Sequence, residues 1–150
     1  MSSPNVRPWV FSAVDRARRR GVHVPVVGGS DARDARPAGF DSVTVGVTVD
    51  DHKRFSPGAT ALAVRHTADR RTGQFLGGQL VGTDGIEVSK RVEVLAAAMH
   101  AGLRIRELGD FDLAYTPPLS APWGALRQAA HAWIGHATAA HSEVQKEAGL

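Results

Sequence analysis

The chain has 150 residues, a formal net charge of +3 and no cysteine. That length suits one domain, which buries roughly 70% of its unfolded surface, and leaves no room for two nucleotide-binding domains. Without cysteine there is no disulfide framework, thiolate zinc site, thiol nucleophile or redox cysteine pair. The apolar fraction of 43% lies well above the disordered range.

No run approaches the eighteen apolar residues of a membrane span, and the first seven residues lack the pattern of a secretory signal. A soluble cytoplasmic protein is the expectation. Fifteen arginines stand against three lysines. Arg16, Arg18, Arg19 and Arg20 cluster, as an anion-binding patch or as the solvated end of a helix, where cations suit the dipole. No nucleic-acid module or aromatic platform accompanies them, so no nucleic-acid partner is expected.

In chain order, Val10, Phe11, Val14 and Ala17 recur at helical spacing and predict a short amphipathic helix over 9–20, stopped by Gly21. Residues 22–27 are apolar and β-branched. Gly28-Gly29 follows without the spacing that cradles phosphate, and reads as a turn. Residues 31–39 read as a linker. Val43, Val45, Val47 and Val49 alternate with smaller or polar residues and predict a half-buried strand. A loop over 50–58, a strand to about Thr67, a turn over 69–73 and a strand over 74–82 follow. The last two strands make a hairpin, so the sheet is at least partly antiparallel.

Val88, Val92, Leu95, Ala96 and Met99 share one stripe of a helix over 88–101, with Gly102 at the left-handed cap position. Residues 104–108 suit a further turn. Residues 111–115 predict a short strand, ended by Pro117 and Pro118. A second long helix is predicted over 123–139, carrying Leu126, Ala130, Trp133 and Ile134. From His141 the tail is polar and is expected to fray.

Three segments carry a resemblance. They are Arg71-Thr72-Gly73-Gln74-Phe75-Leu76-Gly77-Gly78-Gln79-Leu80-Val81-Gly82, Lys90-Arg91-Val92-Glu93-Val94-Leu95-Ala96 with Met99-His100-Ala101-Gly102-Leu103, and Asp112-Leu113-Ala114-Tyr115-Thr116-Pro117-Pro118-Leu119-Ser120. Their order and spacing resemble the C-terminal dimerisation domain of FAD- and NAD-linked disulfide oxidoreductases, in the NADH oxidase and coenzyme A-disulfide reductase branch. The likeness covers about residues 40–130. It implies an α+β fold, an antiparallel sheet with helices on one face, pairing as a twofold homodimer. The domains are then a leader and linker at 1–39, the α+β domain at 40–139 and a tail at 140–150. Complete family members also need an FAD domain, an NADH domain and an active-site cysteine. These are expected to be absent here, so no cofactor is assigned, and the chain is expected to be a separate gene product unable to run the parent reaction alone.

In the family this domain closes the partner subunit's active site. The resemblance places Phe55, Ser56 and Tyr115 at that site. The family usually has two aromatic hydroxyl residues in the first loop; Phe55 and Ser56 lack that phenol, whereas Tyr115 keeps one.

Two functions follow. In the first, the freestanding domain binds a small organic molecule in an apolar cleft and acts as a cofactor-independent cyclase, isomerase or dehydratase in a biosynthetic pathway. Tyr115 is then acid or hydrogen-bond donor, His52 or Asp112 the base, Phe55 and Trp123 walls, and Ser56, Pro117 and Pro118 substrate contacts. In the second, the chain is a dimeric interaction module, or docks on a separate flavoprotein. Each residue also has a plainer role: Tyr115 a buried tyrosine, Asp112 a turn carboxylate, His100 an interface or packing residue, Lys90 and Arg91 ion-pair partners. Trp123 and Trp133, ten apart, form an aromatic wall or simple packing. His131, His136 and His141 recur every five residues, whereas zinc pairs on a helix want four, so no metal is assigned.

Overall fold

The computed structural model describes residues 22–23, 35–36, 39–55, 57–83, 88–115 and 121–147. The expected helix over 9–20, the glycine turn at 28–29, and Ser56, Pro117 and Pro118 lie outside the described residues. Four strands form the sheet: β1 (Val22–His23), β2 (Ser42–Asp50), β3 (Ala61–Asp69) and β4 (Phe75–Thr83). Their order is β1-β4-β3-β2, and every pairing is antiparallel. Three helices follow: α1 (Val88–His100), α2 (Ile105–Gly109) and α3 (Ala125–Glu147).

Strand alternation decides which face becomes the core. Opposite Val47 lies Val64, and opposite Val64 lies Leu80. One row further, Val45 faces His66 and His66 faces Gly78. These residues share the face that α1 and α3 cover. Leu62, Val64, Leu80, Leu95, Leu108, Leu126 and Trp133 are buried together, with the β2 valines half-buried around them. The opposite face carries Thr44, Gly46, Thr48, Arg65 and Gln79. The sheet therefore has one apolar and one polar side, as a half-covered antiparallel sheet should.

A bulge adjusts the hairpin. Thr67 pairs with Gly77 but Ala68 pairs with Phe75, so Leu76 has no partner in the ladder. The extra residue reverses the alternation and turns Phe75, rather than Leu76, into the core. The ring of Phe75 then meets His66 edge-on, with centroids 5.3 Å apart.

The turn between β3 and β4 is held by Asp69, which is buried. Its Oδ1 accepts the Asp41 N–H at 2.9 Å, and its Oδ2 accepts the Thr72 hydroxyl at 2.6 Å and the Thr72 N–H at 3.1 Å. Burial raises the pKa of this carboxyl, but the Thr72 and Asp41 bonds and the Arg71 charge outweigh it and hold the group below its ordinary value. Gly73 closes the turn at φ +73°, and its carbonyl accepts the Ile105 N–H at 2.8 Å. The hairpin tip is thereby stitched to the start of α2.

Gly78 gives α1 its seat. A Cβ there would lie 2.7 Å from Leu95 Cδ1 and 3.3 Å from both the Arg65 carbonyl and His66 Cδ2. Leu95 is buried and has nowhere to retreat. Gly78→Ala is expected to cost about 1–3 kcal/mol by overpacking, read as a lower urea midpoint with unchanged slope.

Three sequence expectations change. Residues 111–115 are not a strand, because they pair with no strand among the described residues. Phe111 and Leu113 still turn inward against the core while Asp112 and Ala114 face out, so the alternation is real without a partner strand among the described residues. The last helix starts at Ala125, not residue 123, since Pro122 and Gly124 precede it and the Gln128 N–H closes its first turn on the Gly124 carbonyl at 3.1 Å. It also runs on to Glu147. The alanines between Thr138 and Ser142 favour helix, and both hydroxyls are satisfied by the carbonyls four residues earlier.

Candidate functional site

The loop between β2 and β3 and the segment ending at Tyr115 meet. Lys53 joins them. Its Nζ stands 5.6 Å from the centre of the Phe55 ring and 5.4 Å from that of Tyr115. Both rings are open to solvent, Phe55 at 83% and Tyr115 at 43% exposure. Two residues sixty positions apart, each assigned to a site from the sequence, thus flank one ammonium group.

Asp51 and its neighbours hold this loop in place. The Asp51 N–H donates to the Thr60 carbonyl at 3.0 Å, while Asp51 Oδ1 accepts the N–H groups of Thr60 and His52, both at 2.9 Å. His52 Nδ1 lies 3.0 Å from Asp51 Oδ2. Burial raises the Asp51 pKa, but the bonds from Thr60 and His52 win and keep it below its ordinary value. From α1, Arg91 Nη2 donates to the Asp51 carbonyl at 3.1 Å and ties the loop to the helix. The loop is thus fixed from both sides.

His52 is buried, and its Nε2 has no hydrogen-bond partner among the described residues. Its Nδ1 is directed at Asp51. Asp112 is exposed and makes no hydrogen bond or ion pair among the described residues. Ser56, Pro117 and Pro118 fall outside those residues.

Trp123 and Trp133 do not make a common wall. Trp123 precedes α3, is 62% exposed, and is covered by the Arg127 guanidinium at 4.9 Å. It lines a shallow open groove with Ala121, Pro122, Gln128 and His131. Trp133 is buried and donates its Nε1–H to the Val43 carbonyl at 2.9 Å. His100, His131 and His136 are exposed.

Sequence reasoning missed Lys53, Asp51, Arg91 as the loop tether, and His66. Only His66 carried a signal: the period of two that buries Leu62, Val64 and Ala68 also puts position 66 inside. The contacts of Lys53 depend on where a loop and a distant segment meet.

Fold and site together define a sheet-and-helix module with an exposed aromatic tip. The model of the family "pyridine nucleotide-disulphide oxidoreductase, dimerisation domain" matches residues 23–126, and the chain belongs to this family. It is 39% identical over 83 residues to the coenzyme A disulfide reductase of Staphylococcus aureus, covering 55% of this chain and 18% of that protein. The NAD-dependent persulfide reductase of A. fulgidus superposes with a TM-score of 0.68 at 29% identity, over 77% of this chain and 20% of that one. The reduced CoADR-RHD of Bacillus anthracis gives 0.72 at 25% identity, over 80% and 21%. The chain thus spans about a fifth of the length of these relatives.

Every strand pairing among the described residues is antiparallel, so they contain no parallel strand–turn–helix–strand unit of the doubly wound dinucleotide-binding kind. Among the described residues no helix is long and apolar enough to cross a membrane.

Proposed function

We propose that the chain acts as a dimerising interface module of a disulfide-reducing flavoprotein system. Two copies pair about a twofold axis, and the tip bearing Lys53, Phe55 and Tyr115 is offered to the substrate side of a flavin-containing active site carried outside the described residues. The observation that supports this most is the meeting of the 50–58 loop and Tyr115 around one ammonium, on a fold whose relatives act on coenzyme A disulfide and on a persulfide. Both of those substrates contain a sulfur–sulfur bond.

The other reading, a freestanding cyclase, isomerase or dehydratase with Tyr115 as acid and His52 or Asp112 as base, draws less support. A general base must reach its proton within hydrogen-bond distance. The ring of His52 is buried and turned to Asp51. Of the two candidate bases, Asp112 alone is exposed.

Sedimentation equilibrium tests the pairing: the expected mass is twice that of the chain. Reconstitution with the flavoprotein found to co-purify tests the docking. NADH-dependent disulfide reduction should appear only with both components, and Tyr115→Phe should lower turnover without changing the dimer mass. A monomer at every concentration, or reduction independent of this chain, would sink the proposal.

A further inference from the structure

β2 borders the described sheet, with β3 as its one neighbour. Its nine residues run in unbroken register along β3. At one end the Arg70 N–H donates to the Asp41 carbonyl at 2.7 Å, and at the other the Asp51 N–H donates to the Thr60 carbonyl at 3.0 Å. Antiparallel bonding alternates along a strand, so the odd-numbered residues between these ends turn their backbone groups to β3. Thr44, Gly46 and Thr48 turn theirs outward, where they make no hydrogen bond among the described residues. Folded proteins usually blunt such a border with a proline, a charge, a bulge or a short strand. Residues 43–49 contain no proline and no charge, and the bulge of this sheet lies between β3 and β4. The apolar face is unfinished at the same place. Leu62, Val64 and Leu80 are fully buried, whereas Val43, Val45, Val47 and Val49 are only half-buried.

The residue order says what fits this border. Val43-Thr44-Val45-Gly46-Val47-Thr48-Val49 reads the same in both directions. We propose that β2 pairs antiparallel with β2 of a second copy, about a twofold axis through Gly46. Gly46 then lies opposite the partner's Gly46, Thr44 opposite the partner's Thr48, and Val45 opposite the partner's Val47. The outward groups of Thr44, Gly46 and Thr48 bond to those of the second copy, as an isologous contact requires. The threonine pairs meet on the open face, where such cross-strand pairs contribute roughly 0.2–1 kcal/mol each. The valines of both copies continue one apolar row on the helix side. A slip of one residue would set valine opposite threonine and break that row, so the pattern fixes the register. The cost lies with Arg65. Its stem crosses Gly46 on the open face, 3.2 Å from where a Cβ would stand. Both copies of this guanidinium approach the axis, exposed to water and salt that screen them. The inference rests on the preceding reading for the twofold pair and names the surface that makes it.

Because the chain has no cysteine, a single introduced one reports the axis. Bonded antiparallel pairs hold their Cα atoms about 5.5 Å apart, a span that a disulfide bridges. In G46C, oxidised glutathione should give covalent dimers, each from two thiols with reduction of one glutathione disulfide. T44C and T48C lie four residues away from their own copies across the axis, roughly 13 Å. Each should stay unlinked alone, and the two should link when mixed before oxidation. T44K combined with T48K sets lysine against lysine on the exposed face. In sedimentation equilibrium it should raise the dissociation constant at least about tenfold, equivalent to about 1.4 kcal/mol. No link in G46C or in the mixture, in protein that still has a dimer's mass, would overturn the β2 surface and leave the module reading standing. A dimer as tight in the double lysine variant as in the wild type would do the same. A monomer at every concentration would remove both.

Discussion

Trp133→Ala is expected to cost the fold about 3–5 kcal/mol, the range for deleting a buried aromatic side chain. Trp133 is 3% exposed, within the core that joins α3 to β2 and β3. It does two things at once. Its ring fills the space beneath the half-buried β2 valines, and its Nε1–H satisfies the carbonyl of Val43. The two contributions can be separated. Trp133→Phe keeps most of the volume and loses the donor, leaving one carbonyl without its partner, and is expected to cost about 1–3 kcal/mol. For a domain of this size the alanine variant should lower the Tm by about 6–20 °C. Equal stability of the alanine variant and the wild type in urea would show that α3 is not seated through this residue.

The second large effect is a loss of stability in acid that begins well above the carboxylate range. His66 is fully buried, and neither ring nitrogen has a hydrogen-bond partner among the described residues. It lies under Leu95, beside Gly78, and edge-on to Phe75. Burial disfavours the imidazolium and lowers the pKa from 6.5 to about 4. The unfolded chain therefore binds a proton more readily than the folded one between these two values. The contribution of neutral His66 is fully present above about pH 6.5 and is lost progressively as pH falls towards 4. The slope approaches 1.4 kcal/mol per pH unit, and the total approaches roughly 3 kcal/mol. The carboxyls of Asp51 and Asp69, held below their ordinary values, add losses at still lower pH. Urea midpoints of the wild type should fall steadily from pH 6.5 to 4, and His66→Leu should flatten that stretch whatever its stability at pH 7. Parallel profiles for the two proteins would rule out the buried neutral ring as the cause.

The sheet and α1 were legible because their signals are local. Val43, Val45, Val47 and Val49 declare a period of two, and the stripe through Val88, Val92 and Leu95 a period of 3.6. Gly102, at φ +67°, ends α1 where a left-handed residue was needed. The segment at 111–115 shows the limit of that method. Its alternation is that of a strand, but strand formation also needs a neighbouring edge, and the sequence does not say whether one is within reach. The bulge at Thr67 and Ala68 is a similar case, since Phe75 and Leu76 are equally suited to the core and only the ladder registers them.

For the site, the same division holds. The type and rough position of Phe55 and Tyr115 were available from the motifs that resemble the family. Lys53 was not, because a cation held by two rings is a product of two chain segments meeting. His52 was visible as a histidine near the loop, but its burial and its contact with Asp51 were not.

By itself, then, the sequence determined the family, the antiparallel hairpin and the helices α1 and α3, since these follow from residue identity and short-range periodicity. Tertiary structure alone decided that His66 is a neutral group in the core, that Arg91 tethers the loop, and that Lys53 stands uncompensated between Phe55 and Tyr115. Burial and pairing set the energy of a charge, and both depend on residues far apart in the chain.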